Sequence, residues 1–410
     1  MKRDEFIYVG VDLHKFQHTA VIVNCWGEKL NEITFMNKPS LFPDFTRFVE
    51  EQAEKGITPV FGLEDVNGYD RSLAVYLLEN GYKVKSVNPS LSYAERKSHA
   101  MTKKSDSWDA KCIAEILARR ITQLPDAAPS DIYWSISTLV GRRDTLVKQL
   151  GSLKNQLHLQ LSHHYPSYRH FFSQVEGKTA LAFWDKYPSP HHLVGITMEE
   201  LRLFLLDASK NSLSTRKAED ILYLVELDGD TKRDYQTYRD FTIKSYVRDI
   251  RFKKEEIKRV EKELKGIVKS LGMQLETMTG VDTVTASALI SEIGDIHRFS
   301  NPNKLARYAG IAPVLFGSGG KETYHKSQQG NRNLHHIFYN LAVQQVQVSK
   351  GSKTPRNPAF YEYYQKKQSE GKTNKQALIS IMRRLVNIIY GMMKNKTAYV
   401  MPEQVETKAS

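Results

Sequence analysis

Four carboxylic acids in the first third of the chain have the types and spacing of a metal site. Asp12 and Glu64 each end a short apolar segment, and Asp106 and Asp109 begin a predicted helix. Residues three apart share one helical face, and strand ends meet helices at the C-terminal edge of an α/β sheet. Mg²⁺ or Mn²⁺ would neutralise such a cluster and could clamp a phosphodiester. All four are candidate metal ligands, although each alone also fits a solvated acid, and Asp106 fits a helix cap.

A second candidate group surrounds Ser318, which lies in the glycine-rich sequence Gly317–Ser318–Gly319–Gly320. The glycines predict a loop that can bring the serine hydroxyl close to a backbone substrate. Four basic residues that could contact phosphates follow within fifteen positions: Lys321, His325, Lys326 and Arg332. The alternative is an ordinary linker or turn, and the spacing of the thirteen histidines indicates no Ser-His-Asp triad.

The segment from Met278 to Ile296 has the pattern of a helix-hairpin-helix, with a turn at 280–282 and a helix over 283–293. In that motif the turn amides and a helix N-terminus bind a DNA phosphate. Asp282 replaces the usual second glycine, and its charge opposes a phosphate. A role in packing alone is therefore the competing interpretation.

Strands and helices must hold these carboxylates in place, and their predicted order indicates an α/β domain over residues 1–125. Three short strands at 6–11, 18–24 and 29–35 form a predicted meander, followed by a helix at about 41–55. A strand at 58–64, a helix at 69–80, a strand at 82–88 and a helix at 107–120 come next. Antiparallel strands followed by alternating helices and strands are typical of a mixed sheet.

Two heptad-patterned helices, predicted over 126–165 and 241–272, flank a helical insert over 166–240 that carries no chemical motif. The apolar residues recur at heptad spacing in both helices: Leu139, Leu146, Leu150, Leu153 and Leu157 in the first, Ile250, Ile257, Leu264 and Leu271 in the second. Lys254 and Glu261 interrupt the second series. The helices could form coiled coils on each other or across a dimer, or could pack as plain amphipathic helices within one domain.

The positive charge of the chain is concentrated in a mostly α-helical C-terminal domain predicted over 273–395. Between Ser300 and Lys394 there are fifteen Lys and Arg against three acidic residues, whereas the first 299 residues hold forty-two against forty-one. Tyrosines interleave this block, which suits a surface that binds nucleic acid, the alternative being a solvated basic face. Residues 396–410 are a predicted tail.

Composition excludes several classes of protein. Gly and Pro are few, at 23 and 14 residues, which favours helix, and the two cysteines exclude a disulfide scaffold or a cysteine-based zinc site. No apolar run approaches the roughly 18 residues of a membrane helix, and the N-terminus has no signal-peptide pattern. We therefore expect a cytoplasmic protein without a membrane partner.

Several stretches resemble one family, the DEDD-type insertion-sequence transposases of the insertion sequence one-ten (Piv/MooV) family. GVDLHKFQHTAVIVN, FGLEDVNGYD and KKSDSWDAKCIAEIL resemble its RuvC-like (RNase H-like) N-terminal domain. LETMTGVDTVTASALISEIGDI and QQGNRNLHHIFYNLA resemble its C-terminal transposase domain. KTALAFWDKYPSPHHLVGITMEELRLFL is similar to the helical insert of its longer members.

This resemblance implies a DNA recombinase that a structured non-coding RNA, the bridge RNA, guides to donor and target double-stranded DNA. The family's metal-binding catalytic quartet falls on Asp12, Glu64, Asp106 and Asp109, and its nucleophilic serine falls on Ser318. The resemblance further implies a phosphoserine intermediate, a homo-oligomer up to a tetramer, and a prokaryotic, nucleoid-associated location.

The sequence departs from the family pattern near the glycine-asparagine segment, where basic residues are replaced by Ser327, Gln328, Gln329 and His335. Two other functions stay open. One is a metal-dependent nuclease or junction resolvase in which Ser318 is only a loop residue. The other is a basic scaffold that binds nucleic acid, which would gain nothing from four converging acids.

Overall fold

The computed structural model describes residues 3–64, 68–99, 105–127, 129, 131–212, 215–318, 321–325 and 330–401. The chain divides into two compact units, Met1–Asp131 and Ile132–Ser410. Among the described residues, no helix has both the length and the apolar character that crossing a membrane requires.

The N-terminal unit is a five-stranded mixed sheet with helices on both faces. Its strands are β1 (Phe6–Leu13), β2 (Gln17–Val23), β3 (Lys29–Met36), β4 (Thr58–Glu64) and β5 (Lys83–Ser86), and its helices are α1 (Phe42–Glu50), α2 (Arg71–Glu79), α3 (Pro89–Ser98) and α4 (Asp106–Arg120). The strand order is β3-β2-β1-β4-β5, with β1, β2 and β3 antiparallel and with β4 and β5 parallel to β1. The predicted α/β class, with a meander and a mixed sheet, is confirmed.

Two differences from the predicted elements concern helices. Helix α1 ends at Glu50 instead of continuing to about residue 55. Helix α3 was not predicted, because the strand prediction extended through Asn88. In the structure Asn88 is the N-cap of α3, its side chain accepts a hydrogen bond from the Ser90 amide, and Pro89 occupies the first turn.

Side chains of β1 alternate between two separate cores. Ile7, Val9 and Val11 pack in the core that α1 and α2 cover, whereas Phe6 and Tyr8 pack in the core that α4 covers. Because alternate residues of a strand face the same side, every second residue after Tyr8 faces α4. The alternation therefore directs the residue at position 12 toward α4.

Glycine at position 10 lets α4 lie directly against β1. A Cβ atom on Gly10 would come within 2.2 Å of the Ala110 carbonyl oxygen and of the Ala114 amide nitrogen. On the neighbouring strand, a Cβ atom on Gly62 would lie 3.2 Å from the Leu117 side chain. The helix axis is thus held closer to the sheet than any residue with a side chain at position 10 permits.

The C-terminal unit is mainly helical. Its helices are α5 (Asp131–His164), α6 (Lys178–Lys186), α7 (Met198–Ser209), α8 (Thr215–Asp228), α9 (Gln236–Ser270), α10 (Thr283–Ile293), α11 (Pro302–Tyr308), α12 (Arg332–Gln345), α13 (Pro358–Ser369) and α14 (Asn374–Asn395), and its strands β6 (Val314–Ser318) and β7 (Lys321–His325) pair antiparallel. It contains two cores: α6, α7 and α8 contribute to one, and α10 to α14 contribute to the other.

The two heptad-patterned helices run antiparallel and contribute to both cores. Ile136 of α5 shares a core with Leu264 of α9, and Leu157 shares the other core with Ile250. All four side chains are buried within the single chain. The structure therefore favours packing within one chain over a seam between two chains.

The two charged residues that interrupt the second heptad series have partners inside the unit. The Lys254 Nζ atom donates to the Glu176 carbonyl oxygen at 2.5 Å, and Arg143 of α5 pairs with Glu261 of α9 at 3.0 Å. Burial lowers the pKa of Lys254 from its ordinary value. These contacts show why a polar residue is tolerated at each interruption.

The predicted helix-hairpin-helix is wrong, because no α-helix among the described residues directly precedes the turn at Gly280. Helix α9 ends at Ser270, and only one 3₁₀ turn, Leu275–Thr277, precedes the turn at Gly280. Helix α10 has the predicted bounds, but the Asp282 carboxylate accepts the Thr285 amide at 2.8 Å and so occupies the helix N-terminus. A phosphate cannot use the same amide, and the packing interpretation is the one that fits.

The tail predicted over residues 396–410 starts too early in the chain, because its first residues contact the folded unit. The Gln274 side chain donates to the Lys396 carbonyl oxygen at 3.0 Å, and the Tyr399 amide donates to the Thr277 hydroxyl at 2.8 Å. The Asn357 side chain also donates to the Tyr399 hydroxyl at 3.3 Å. The chain just after α14 is therefore part of the folded unit, and residues 402–410 lie outside the described ones.

Substitution of Gly10 tests the close packing of α4. Gly10→Ala should lower the free energy of unfolding by about 1–3 kcal/mol. The added methyl group would clash with backbone atoms of α4, and only a shift of the whole helix could remove the clash. Gly141→Ala is the control, since a Cβ atom there has open space within helix α5 and should stabilise the protein by about 0.5–1 kcal/mol. Urea unfolding monitored by circular dichroism measures both, and an unchanged midpoint for Gly10→Ala would contradict the packing argument.

Candidate functional site

Two of the four carboxylates lie side by side at the C-terminal ends of parallel strands. Asp12 of β1 is in register with Glu64 of β4. The other two lie in the first turn of α4, which begins after Ser105, whose side chain accepts the Trp108 amide at 3.2 Å. Because α4 covers the face to which Asp12 points, Asp106 and Asp109 are brought to the same end of the sheet.

Contacts of two basic residues, His14 and Arg96, show how closely the four acids converge. The His14 Nε2 atom lies 3.1 Å from an Asp12 oxygen and 3.5 Å from an Asp106 oxygen. The ligand atoms of these three residues all lie within 4.8 Å of one another. Arg96 of α3 lies 3.8 Å from a Glu64 oxygen and 3.5 Å from an Asp109 oxygen. The four carboxylates therefore form one cluster, which the structure brings together as the spacing predicts.

The cluster is electrostatically costly. Burial raises the pKa of Asp12 above its usual range, and the three neighbouring acids act in the same direction against the lowering effect of His14. Glu64 and Asp109 are 6% and 4% exposed, respectively. The Glu64 Oε2 atom has no hydrogen-bond partner among the described residues, and the Arg96 guanidinium approaches it only to 3.8 Å. A buried carboxylate oxygen is stable only with a proton, a donor or a cation.

The donor set fits a hard divalent cation. Four carboxylates offer the oxygen ligands that Mg²⁺ and Mn²⁺ prefer. The Glu64 oxygen without a hydrogen bond lies 3.8 Å from the Arg96 guanidinium, beyond hydrogen-bond distance. Asp106 is half-exposed, which leaves one side of the cluster open to a substrate. Bound ions would oppose both the burial and the repulsion that together keep the pKa of Asp12 high.

The sequence analysis did not identify His14 and Arg96. His14 lies two residues after Asp12, a spacing that could have signalled a second ligand or a charge partner. Arg96 belongs to α3, the helix that was not predicted. Both side chains partly balance the charge of the acids, and His14 is half-exposed.

The second candidate group lies in the C-terminal unit. Ser318 is the last residue of β6 and pairs with Lys321, the first residue of β7. Gly317 and Ser318 therefore belong to a strand and not to the predicted loop, and Gly319, Gly320 and Lys326 lie outside the described residues. Arg332 is exposed and begins helix α12.

The segment just before Arg332 is held tightly. The Asn331 side chain accepts the Leu334 amide at 2.9 Å and donates to Glu292 of α10 at 2.6 Å. Gly330 has φ +121, and a Cβ atom there would lie 2.6 Å from the Gly310 amide nitrogen. The glycine-asparagine pair thus fixes the start of α12 against α10, and the sequence analysis did not single out Glu292.

Two family models match the chain and together contain both candidate groups. A DEDD transposase model of the IS110 type matches residues 9–166, and a model of the transposase IS116/IS110/IS902 family matches residues 273–365. The chain belongs to the IS110 family of transposases. It is therefore a DNA transposase, an enzyme of DNA recombination. Residues 167–272 lie outside both matches.

Several known proteins are similar to the transposase over nearly its whole length. It is 25% identical over 405 residues to a 44.8 kDa protein of insertion element IS116 from Streptomyces clavuligerus, with 97% of each chain covered. It is 23% identical over 394 residues to the pilin gene-inverting protein of Moraxella lacunata, with 96% of this chain and 97% of that protein covered. It is also 20% identical over 407 residues to the mini-circle putative transposase for IS117 of Streptomyces coelicolor, with 95% and 94% covered.

Many of the basic side chains in the C-terminal block of the transposase are accessible. The exposed ones include Lys304, Arg307, Arg332, Arg356, Lys366, Lys372, Lys375 and Arg384. Accessible cations with few acids nearby fit a polyanionic ligand.

Neutralising Asp12 should stabilise the metal-free transposase. Burial raises the pKa of Asp12, so above that pKa the folded state holds a charge at a cost that the unfolded chain does not bear. Asp12→Asn should therefore raise the thermal midpoint at neutral pH in EDTA, at about 2–4 °C per kcal/mol relieved. The gain should shrink as the pH falls through the raised pKa toward the ordinary value, because the parent then takes up the proton itself.

Magnesium should favour the parent protein over Asp12→Asn, the reverse of the order expected in EDTA. It should raise the midpoint of the parent more than that of Asp12→Asn, because the variant lacks one carboxylate. Glu54→Gln, at an exposed acid of the same unit, should behave like the parent in both conditions. Differential scanning calorimetry measures all three proteins, and a variant less stable than the parent in EDTA at neutral pH would refute the account of the cluster.

Proposed function

We propose that this transposase is an RNA-guided DNA recombinase that cuts and rejoins strands with Asp12, Glu64, Asp106 and Asp109 as metal ligands and Ser318 as nucleophile. The observation that carries the proposal is the convergence of the four carboxylates at one end of the sheet. The strand order β3-β2-β1-β4-β5 supports a RuvC-like (RNase H-like) classification of the N-terminal unit.

Each acid has a distinct part in the proposed site. Glu64 and Asp109 are buried, and one oxygen of each lies 3.5–3.8 Å from the Arg96 guanidinium, so these two acids form the inner side of the proposed site. Asp106 is half-exposed and lies where a DNA phosphate can approach. Mg²⁺ or Mn²⁺ bound here would withdraw charge from the phosphate being transferred.

The proposed chemistry conserves the phosphodiester bond energy. The Ser318 hydroxyl attacks the phosphorus, a serine–phosphate bond forms, and one strand end leaves as a sugar hydroxyl. The hydroxyl of another strand then attacks the phosphoserine and restores Ser318. Lys321, Lys326 and Arg332 are the proposed phosphate contacts, because they follow the serine closely in sequence.

Strand exchange between two duplexes requires more than one copy of the site. We therefore propose a homo-oligomer, a dimer to a tetramer, in which the carboxylate cluster of one subunit acts with the serine of another. The family resemblance supports this arrangement. The buried heptads of α5 and α9 are not offered as the subunit contact, because they pack within one chain.

A guide RNA is the proposed source of sequence specificity. The exposed basic side chains of the C-terminal block can neutralise the phosphates of an RNA as well as those of donor and target DNA. Phosphate contacts position a nucleic acid without reading its sequence. Base pairing by a bound RNA would supply the selection that such a surface lacks.

One observation favours a second candidate function, a metal-dependent nuclease or junction resolvase. The carboxylate cluster forms within the N-terminal unit alone. Hydrolysis by a metal-activated water would need no serine and would leave no covalent intermediate. The two functions therefore differ in one detectable species, the protein–DNA adduct.

Substitution of Ser318 separates the two functions. The parent enzyme should form a covalent adduct with a nicked DNA substrate in Mg²⁺, and Ser318→Ala should form none, because the attacking oxygen is absent. Ser352→Ala, at an exposed serine of the same unit, should form the adduct normally. Denaturing gels with labelled DNA measure the adduct. An adduct with Ser318→Ala places the nucleophile elsewhere, and DNA cleavage by both proteins without any adduct supports the nuclease.

RNA dependence has its own test. Protein purified from cells that express the whole element should carry a discrete RNA, and RNase treatment should abolish recombination at the chosen sites. Replacing both Lys372 and Lys375 with Ala should weaken the salt dependence of RNA binding. The slope of log affinity for the RNA against log salt concentration should fall by up to about 2, one for each lost phosphate contact. The same replacements at Lys38 and Lys55, exposed in the N-terminal unit, serve as the control. Equal recombination by RNA-free protein would refute guidance.

A further inference from the structure

Two histidines and an aspartate meet in the helical insert. His191 and His192 lie in the 3₁₀ turn Pro190–Leu193, and Asp240 lies near the start of α9. The Asp240 Oδ2 atom is 2.9 Å from the His192 Nε2 atom and 3.8 Å from the His191 Nε2 atom. This group belongs to the stretch that neither family model covers, and the proposed recombination chemistry does not use it.

We propose that His191, His192 and Asp240 bind a zinc ion. Ligand atoms around a tetrahedral Zn²⁺, each at about 2.0–2.1 Å from the metal, lie about 3.3 Å from one another. The two measured separations bracket that value, and the three ligand atoms all lie within 4.8 Å of one another. All three ligand atoms are thus near enough to one another for a single metal to join them after side-chain rotation.

Neighbouring residues already orient the ligand atoms. The Ser189 hydroxyl is 2.8 Å from the His191 Nδ1 atom, and the Gln236 side chain donates to the Asp240 Oδ1 atom at 2.8 Å. Each contact engages the second polar atom of its side chain and not the proposed ligand atom. The His191 Nε2 atom and the Asp240 Oδ2 atom are thereby left facing the metal position, as outer partners do in metal sites.

The composition and exposure of the site determine which metal fits it. Two imidazole nitrogens and one carboxylate oxygen suit Zn²⁺ and related late transition ions, whereas Mg²⁺ and Ca²⁺ prefer oxygen ligands alone. Asp240 is buried, and the side chains of His191 and His192 are 39% and 32% exposed. The metal can thus enter from solvent, and water can complete the fourth position.

The proposed zinc joins two parts of the insert that are distant in sequence. One ligand pair belongs to the turn after α6, and the third belongs to α9. The end of α5 reaches the same place, because the His164 Nδ1 atom lies 2.8 Å from the Pro188 carbonyl oxygen and 3.7 Å from Asp240. A metal here would fix the turn against both long helices and would stabilise the insert.

Zinc loading of the full-length protein tests the proposal. The metal-stripped protein is given Zn²⁺ or Co²⁺ in excess Mg²⁺, which competes for the carboxylate cluster, and bound metal is counted after desalting. We expect one tightly held equivalent, the visible absorption of Co²⁺ in a tetrahedral site, and a higher thermal midpoint with Zn²⁺. His192→Ala should lose all three effects, and Ser189→Ala should weaken binding about 10- to 100-fold.

The control is His99→Ala, because Glu95, His99 and Glu115 form another histidine–acid group among the described residues. This variant should keep the equivalent, the Co²⁺ absorption and the zinc-induced rise in midpoint. Asp240→Asn keeps the shape of the side chain and should also lose the metal, which covers the case in which His192→Ala folds poorly. The proposal would be overturned if the parent protein bound no equivalent of zinc. It would also be overturned if His99→Ala lost the bound metal while His192→Ala kept it.

Discussion

The contact between helix α4 and strand β1 at Gly10 is the constraint on which the candidate site depends. With no side chain at that position, the backbone of α4 lies against the strand. The first turn of the helix then lies over the strand ends, where Asp106 and Asp109 join Asp12 and Glu64. A helix held one side-chain layer farther out would leave the acids too far apart to share a cation. Packing and chemistry are thus coupled at a single glycine.

That closeness has an electrostatic cost, which the structure offsets only in part. Arg96 approaches the two buried acids and His14 approaches the two more exposed ones. The compensation is incomplete, since the pKa of Asp12 stays raised and one Glu64 oxygen has no hydrogen-bond partner among the described residues. Such residual destabilisation is typical of sites whose stability is completed by a ligand. The cluster could therefore hold cations, and it is costly without them.

Features set by neighbouring residues could be predicted well from the sequence. Features that depend on residues distant in the chain could not. Strand alternation and strand ends follow from nearby residues, so the sheet and the convergence of the four acids could be predicted. Helix α3 was missed because its Asn88 cap lies only two residues after the end of β5 and its first turn has no strong apolar stripe. Ser318 was assigned to a loop because the pairing of β6 with β7 depends on the facing strand. The heptads likewise could not reveal whether their partner was the same chain or another.

The antiparallel pair of α5 and α9 explains how one chain can carry an insert without disturbing its C-terminal core. Each helix passes from one core into the other, so two continuous helices join the insert to the rest of the C-terminal unit. Asp240 lies only a few residues before Ile243 and Val247, which are buried in the core of the insert. A ligand that fixes Asp240 therefore acts directly on the packing of that core. Its effect on the C-terminal core has to pass along the length of α9, where the buried contact of Leu264 lies more than six helical turns away.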